Sequence, residues 1–134
     1  MQLRLETDYA IRAMLYLAAT KRVVNADEIA LAMGISPNVL RNIMQSLKKN
    51  GFIHVRRGAG GGYELARQAA EISLFDIMEV TEQTMQLNHC LEGECECSRK
   101  AVDTCPVRKQ YTVIQDMLHG CLRDITLEKL LNGQ

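Results

Sequence analysis

Between Leu3 and Ala19 the apolar residues Leu5, Tyr9, Ile11, Met14, Leu15 and Leu17 alternate at helical spacing with Arg4, Glu6, Asp8 and Arg12. That density predicts a helix covered on most sides. Asn25-Ala-Asp-Glu28 opens a second, shorter helix, with Asn25 as its cap and Glu28 placed to reach back in a capping box. Ile29, Ala30 and Met33 supply its inner face, and Gly34 ends it. Ser36-Pro37 starts a third helix, with Ser36 as N-cap and proline where its missing N–H costs nothing. Ile35 and Leu40 are spaced for a hydrophobic staple. Leu40, Ile43, Met44 and Leu47 form an inner stripe, while Asn38, Arg41, Asn42, Gln45 and Lys48 occupy the opposite face.

The period then changes. Phe52 to Val55 and Tyr63 to Leu65 read as strands on either side of the tip Gly58-Ala-Gly-Gly-Gly62. Two short helices joined at a glycine turn, followed by a hairpin with arginines at its mouth, predict a helix-turn-helix with a wing. A phosphate-cradling loop would lead from a strand into a helix, whereas this one joins two strands. Ser73 with Asp76 caps a further short helix through Leu74, Ile77 and Val80. Met85 to Thr104 shows no period and reads as a loop. Pro106 opens a long helix in which Val107, Tyr111, Ile114, Leu118, Cys121 and Ile125 recur at alternating spacings of 4 and 3. That heptad stripe predicts a helix–helix seam between two copies of the chain. Thr126 caps a short final helix bearing Leu127, Leu130 and Leu131.

The expected fold class is therefore mainly α with a small β-wing: a winged helix-turn-helix plus a long C-terminal dimerisation helix. Residues 1–84 form the DNA-binding domain, 85–105 a cysteine-rich sensor loop, and 106–134 the dimerisation and C-terminal helices. Composition agrees, since 47% of residues are apolar but only four tyrosines and two phenylalanines are aromatic. Aliphatic packing of that kind suits helices.

Net charge is zero, yet its distribution is uneven. Residues 1–66 carry nine Lys/Arg against five Asp/Glu, and residues 67–134 carry seven against eleven. No carboxylate occurs from Ile29 to Tyr63, the stretch that holds Arg41, Lys48, Lys49, Arg56 and Arg57. A basic region set against an acidic half suits one nucleic-acid face. On such a face Asn38, Arg41, Asn42 and Gln45 would meet base edges in the major groove. Ser36 and Lys48 would meet phosphates. Arg56 and Arg57 at the wing would reach a minor groove. The partner is then double-stranded DNA with a pseudo-palindromic operator, bound by a homodimer.

The N-terminal residues do not form a signal peptide, and no run approaches 18 apolar residues, so a cytoplasmic location is expected. In that compartment the five cysteines read as metal ligands, redox groups or core residues rather than structural disulfides. Cys121, on the apolar stripe, reads as a small buried residue. Cys90, Cys95, Cys97 and Cys105 follow the pattern C-x4-C-x-C-x7-C. Structural zinc sites prefer paired C-x2–4-C elements, whereas an iron–sulfur cluster accepts thiolates spread along a longer loop. A metal-free thiol switch remains the alternative. An enzyme built on a cysteine with His54, His89 or His119 finds no nucleophile motif to support it.

Taken together, Tyr9-Ala-Ile-Arg12, the run Lys49 to Tyr63 with its Arg-Gly-x-Gly-Gly-Gly-Tyr wing, Ile72 to Ile77, the loop cysteines and Ile125-Thr-Leu127 resemble the winged-helix iron–sulfur repressor family, which includes IscR, NsrR and RirA. The resemblance spans essentially the whole chain. It implies a repressor whose operator binding follows a cluster that responds to iron status, redox stress or nitric oxide. It implies cluster ligands at Cys90, Cys105 and one of Cys95 or Cys97, with Cys97 at the better spacing. It places the minor-groove arginine at Arg57 and the base-contacting positions at Asn38, Arg41 and Asn42. The [2Fe–2S] subgroup uses a histidine three residues after the last cysteine, where this chain has Arg108. The [4Fe–4S] subgroup uses an aspartate from the first helix of the partner subunit, matched here by Asp8, so a [4Fe–4S] cluster is expected ahead of a [2Fe–2S] one.

Overall fold

The computed structural model describes residues 2–93 and 95–133. Helix α1 (Leu5–Thr20) is the central element. Its Ala10, Ala13 and Met14 are fully buried, and Leu17 nearly so. The small alanines let neighbouring helices approach closely, and α1 contacts α2, α3, α4 and α6. The N-terminus of α1 is held from a distance. The Glu82 carboxylate accepts from the Arg4 backbone N–H at 2.9 Å and from the Thr7 hydroxyl at 2.5 Å.

Helices α2 (Ala26–Met33) and α3 (Pro37–Lys49) form the helix-turn-helix. Asn25 caps α2 by accepting from the Glu28 N–H at 2.8 Å. The Glu28 carboxylate does not close a capping box. It accepts instead from the Tyr16 hydroxyl at 2.8 Å and from Arg22 at 2.5 Å, tying α2 to α1. A second partner, an arginine, outcompetes the local backbone N–H for that carboxylate. Gly34 supplies the left-handed backbone of the turn at φ 66°. Ser36 caps α3 through the Val39 N–H. Leu40, Ile43, Met44 and Leu47 are buried, as the inner stripe predicts.

Strands β1 (Ile53–Arg56) and β2 (Gly62–Leu65) pair antiparallel, with Ile53 opposite Leu65 and Arg56 opposite Gly62. The wing is also stitched to the segment before α2. Val24 donates to the Tyr63 carbonyl at 2.9 Å, and Tyr63 donates back at 2.8 Å. That stitch explains the last tip glycine: a Cβ on Gly62 would lie 2.2 Å from the Val24 carbonyl oxygen.

Helix α4 (Leu74–Thr81) has the full Ser73/Asp76 capping box. The segment 85–104 is largely irregular, with one 3-10 turn at His89–Leu91. Helix α5 (Pro106–Asp124) follows, then α6 (Leu127–Leu131). Leu74 donates to the Ile125 carbonyl at 2.8 Å, and Leu127 to the Ile72 carbonyl at 2.9 Å. Leu127 is fully buried in the core that α1 organises.

α5 differs most from expectation. Its one buried residue is a glutamine, Gln115. The heptad stripe is left open in the single chain: Val107, Ile114 and Leu118 are exposed, beside Val113 and Met117. Cys121 on that stripe is exposed rather than a core residue, because nothing in its own chain covers this side of the helix. Among the described residues no helix is long and apolar enough to cross a membrane.

Candidate functional site

The residues expected to read DNA share one surface. Ser36, Asn38, Arg41, Asn42, Gln45 and Lys48 are all exposed, on the side of α3 opposite its buried stripe. The first turn of α3 has no acid and the last carries Lys48 and Lys49. Arg41 is partly occupied: it lies 3.3 Å from the Asp27 carboxylate of α2 and 3.4 Å from the Asn38 side-chain oxygen. At the wing the two arginines separate. Arg56 Nε donates to Glu64 across the hairpin at 2.7 Å. Arg57 is exposed at the tip, and among the described residues no ion pair engages it.

The four loop cysteines are free thiols and half-buried. Cys90 sits in the 3-10 turn, where the Asn88 side-chain amide donates to its sulfur at 3.3 Å. Cys97 opens a tight turn closed by the Lys100 N–H on the Cys97 carbonyl at 2.8 Å, with Lys100 in the left-handed region. Backbone N–H groups of Ala101 and Arg99 face the Cys97 sulfur and lower its pKa against the cost of burial. Cys95 behaves oppositely: burial raises its pKa, and the neighbouring Cys90 and Cys97 sulfurs raise it further. Cys95 thus has the Cys90 and Cys97 sulfurs as neighbours. Cys105 is the N-cap residue of α5, a 19-residue helix.

This donor set suits a thiophilic centre in kind: several half-buried thiols, N–H groups aimed at one sulfur, and a helix N-terminus at another. Among the described residues no three Cys, His, Asp or Glu side chains converge on one metal-sized point. Asp8 is half-exposed on α1 and pairs with Arg12 at 2.5 Å. Arg108, at the position of the histidine ligand of one subgroup, turns its guanidinium to the Cys90 carbonyl at 2.9 Å.

Two features escaped the reading of the sequence: the Glu82 cap on α1 and the polar inner side of α5. Glu82 lies 75 residues from Thr7, so no local pattern signals it. Arg108, Gln115 and His119 do stand at heptad-like spacings of 7 and 4. Only the returning loop shows what that polar row faces.

A helix-turn-helix with an exposed, acid-free reading helix and an arginine-tipped wing defines a DNA-binding transcriptional regulator. Residues 3–133 match the family described as Rrf2, iron-dependent transcriptional regulator. Protein aau3 of Rhizobium meliloti is 37% identical over the whole chain and 87% of that protein's length. The HTH-type transcriptional regulator IscR of Escherichia coli is 31% identical over the whole chain and 82% of its length. Among solved structures, T. potens IscR superposes with a TM-score of 0.78 at 27% identity, covering 99% of this chain and 88% of that one. The oxidised form of Staphylococcus aureus CymR superposes with a TM-score of 0.74 at 26% identity, covering 97% and 95%. The chain belongs to the Rrf2 family and is a transcriptional regulator, not an enzyme.

Proposed function

We propose that this regulator is a repressor whose DNA affinity is set by an iron–sulfur cluster on the thiol loop. Cys90, Cys97 and Cys105 hold it, with Asp8 of the partner subunit as fourth ligand and [4Fe–4S] as the expected form. When bound, such a cluster supplies a centre that iron shortage, oxidants or nitric oxide can alter. The single observation that carries the reading is the thiol loop itself. Four half-buried cysteines are gathered there in a chain of a family described as iron-dependent. Cys97 is preferred over Cys95 because backbone N–H groups turn to its sulfur and favour the thiolate, while burial works against the thiolate of Cys95.

The chain's own residues do the rest. The polar side of α3 reads base edges, Lys48 and the Ser36 turn meet phosphates, and Arg57 enters the minor groove. Arg56, engaged by Glu64, supports the wing and contacts the backbone. The open stripe Val107, Ile114, Leu118 and Cys121 is the seam between two copies, which sets the spacing of two half-sites.

Anaerobic isolation tests the cluster. The protein should be coloured and carry iron and acid-labile sulfide, retained in Cys95→Ser and lost in Cys97→Ser. A second reading, control by thiol oxidation or zinc without a cluster, is supported on its thiol side by the fold shared with a CymR solved in an oxidised form. A colourless protein with stoichiometric zinc, or with a reversible disulfide, would establish that reading instead.

A further inference from the structure

The segment before and through Cys90 has no regular backbone partner, yet it is not loose. Gln115, buried in the middle of α5, accepts from the Leu87 N–H at 2.5 Å and donates to the Met85 carbonyl at 2.6 Å. His119, one turn later, packs edge-on against Phe75 at 4.9 Å and lies 3.1 Å from the same carbonyl. Two turns before Gln115, Arg108 donates to the Cys90 carbonyl at 2.9 Å. One side of α5 thus satisfies three backbone groups of this segment, the Met85 and Cys90 carbonyls and the Leu87 N–H. Arg108 is also three residues past Cys105, the N-cap of the same helix.

We propose that Gln115 and Arg108 are the positioning residues of the thiol loop, clamping residues 85–90 along α5 so that Cys90 is held against the first turns of the helix that Cys105 caps before any metal arrives. The inference rests on the assignment of Cys90 and Cys105 as ligands above, but the clamp itself exists in the metal-free chain. The buried Gln115 side chain serves as both acceptor and donor to the loop backbone, and its amide nitrogen also meets His119 on the same helix. Left without partners it would be costly, so helix and loop are ordered together.

The clamp has two direct readouts on the full-length, metal-free protein. Hydrogen exchange should show Leu87 protected, and Gln115→Met should remove that protection. Iodoacetamide labelling, resolved by peptide, should modify Cys90 faster in Gln115→Met and Arg108→Met. Losing the two hydrogen bonds of Gln115 predicts about a tenfold increase, equivalent to about 1.4 kcal/mol, and losing the single bond of Arg108 a smaller one. Cys121, which takes no part in the clamp's hydrogen bonds and lies on the seam side of α5, should label at the same rate in the variants as in wild type. Arg108→Lys, which keeps a donor, should restore slow labelling, as a merely structural role for the arginine plane would not. If Gln115→Met fails to fold, the Arg108→Met and Arg108→Lys pair carries the test alone. Unchanged exchange at Leu87, or equal Cys90 labelling in Arg108→Met and wild type, would overturn the clamp. Iron loss to a chelator from the reconstituted protein, faster in Arg108→Met than in Arg108→Lys, would tie the clamp to the cluster. If the clamp variants behave as expected but no iron binds, the ligand assignment fails and the clamp stands.

Discussion

Arg56 and Arg57 are neighbours in sequence, but the hairpin gives them different tasks. Arg56 is neutralised by Glu64 across the strands, whereas Arg57 stands at the tip with its charge uncommitted. Arg57→Ala should therefore weaken operator binding more than Arg56→Ala. Fluorescence anisotropy against salt checks this: losing one phosphate or minor-groove cation should reduce the slope of log affinity by about 1. Gly62 shows a second single-residue constraint. Its missing Cβ leaves room for the Val24 carbonyl, so Gly62→Ala should cost about 2 kcal/mol in urea unfolding. Glu28 supplies a pH dependence. Hydrogen bonds from Arg22 and Tyr16 lower its pKa in the folded chain. Its contribution is then present above the unfolded glutamate pKa and lost as pH falls through the lower, folded value. Unfolding midpoints of wild type and Glu28→Gln should differ at neutral pH and converge in acid.

At the scale of elements, the helices were legible wherever a cap and a stripe coincided. Ser36-Pro37 with Leu40, Ile43, Met44 and Leu47 marked α3 nearly to the residue, because capping and burial are local properties. The Ser73/Asp76 box did the same for α4, and Ser73→Ala should lower stability by about 1 kcal/mol in thermal or urea unfolding. The wing was visible from its glycines, though not its attachment to Val24, which depends on a segment 39 residues earlier. α5 was only half legible. Its apolar stripe announced a seam, but the same periodicity placed Cys121 inside, and it is exposed. The helix meets its own chain through Arg108, Gln115 and His119, and polar residues on a helix read by default as a solvated face. Likewise the thiol loop showed its chemistry in its cysteines, while the order among them comes from backbone N–H groups that leave no trace in residue type.

At the scale of the whole molecule, the reading surface and the thiol loop are linked through one packed body. α6 returns to place Leu127 in the core under α1, and Glu82 ties the end of α4 to the start of α1. The loop lies along one side of α5, and the neighbouring side of that helix is the open apolar stripe. Covering that stripe with a second copy would bury several exposed aliphatic side chains, each contributing roughly 1.5–3 kcal/mol when fully removed from water. Leu118→Glu should accordingly yield a monomer in sedimentation and lose operator binding while keeping its helical content. The central claim is that the state of the thiol loop sets DNA affinity. It is tested most directly by one titration on a single anaerobic preparation, using DNA selected from a random pool, before and after chelator removes the iron. The protein should absorb visible light and its affinity should change by about an order of magnitude or more on stripping, in wild type and Cys95→Ser but not in Cys97→Ser. Equal affinity of the loaded and stripped wild-type protein would contradict it.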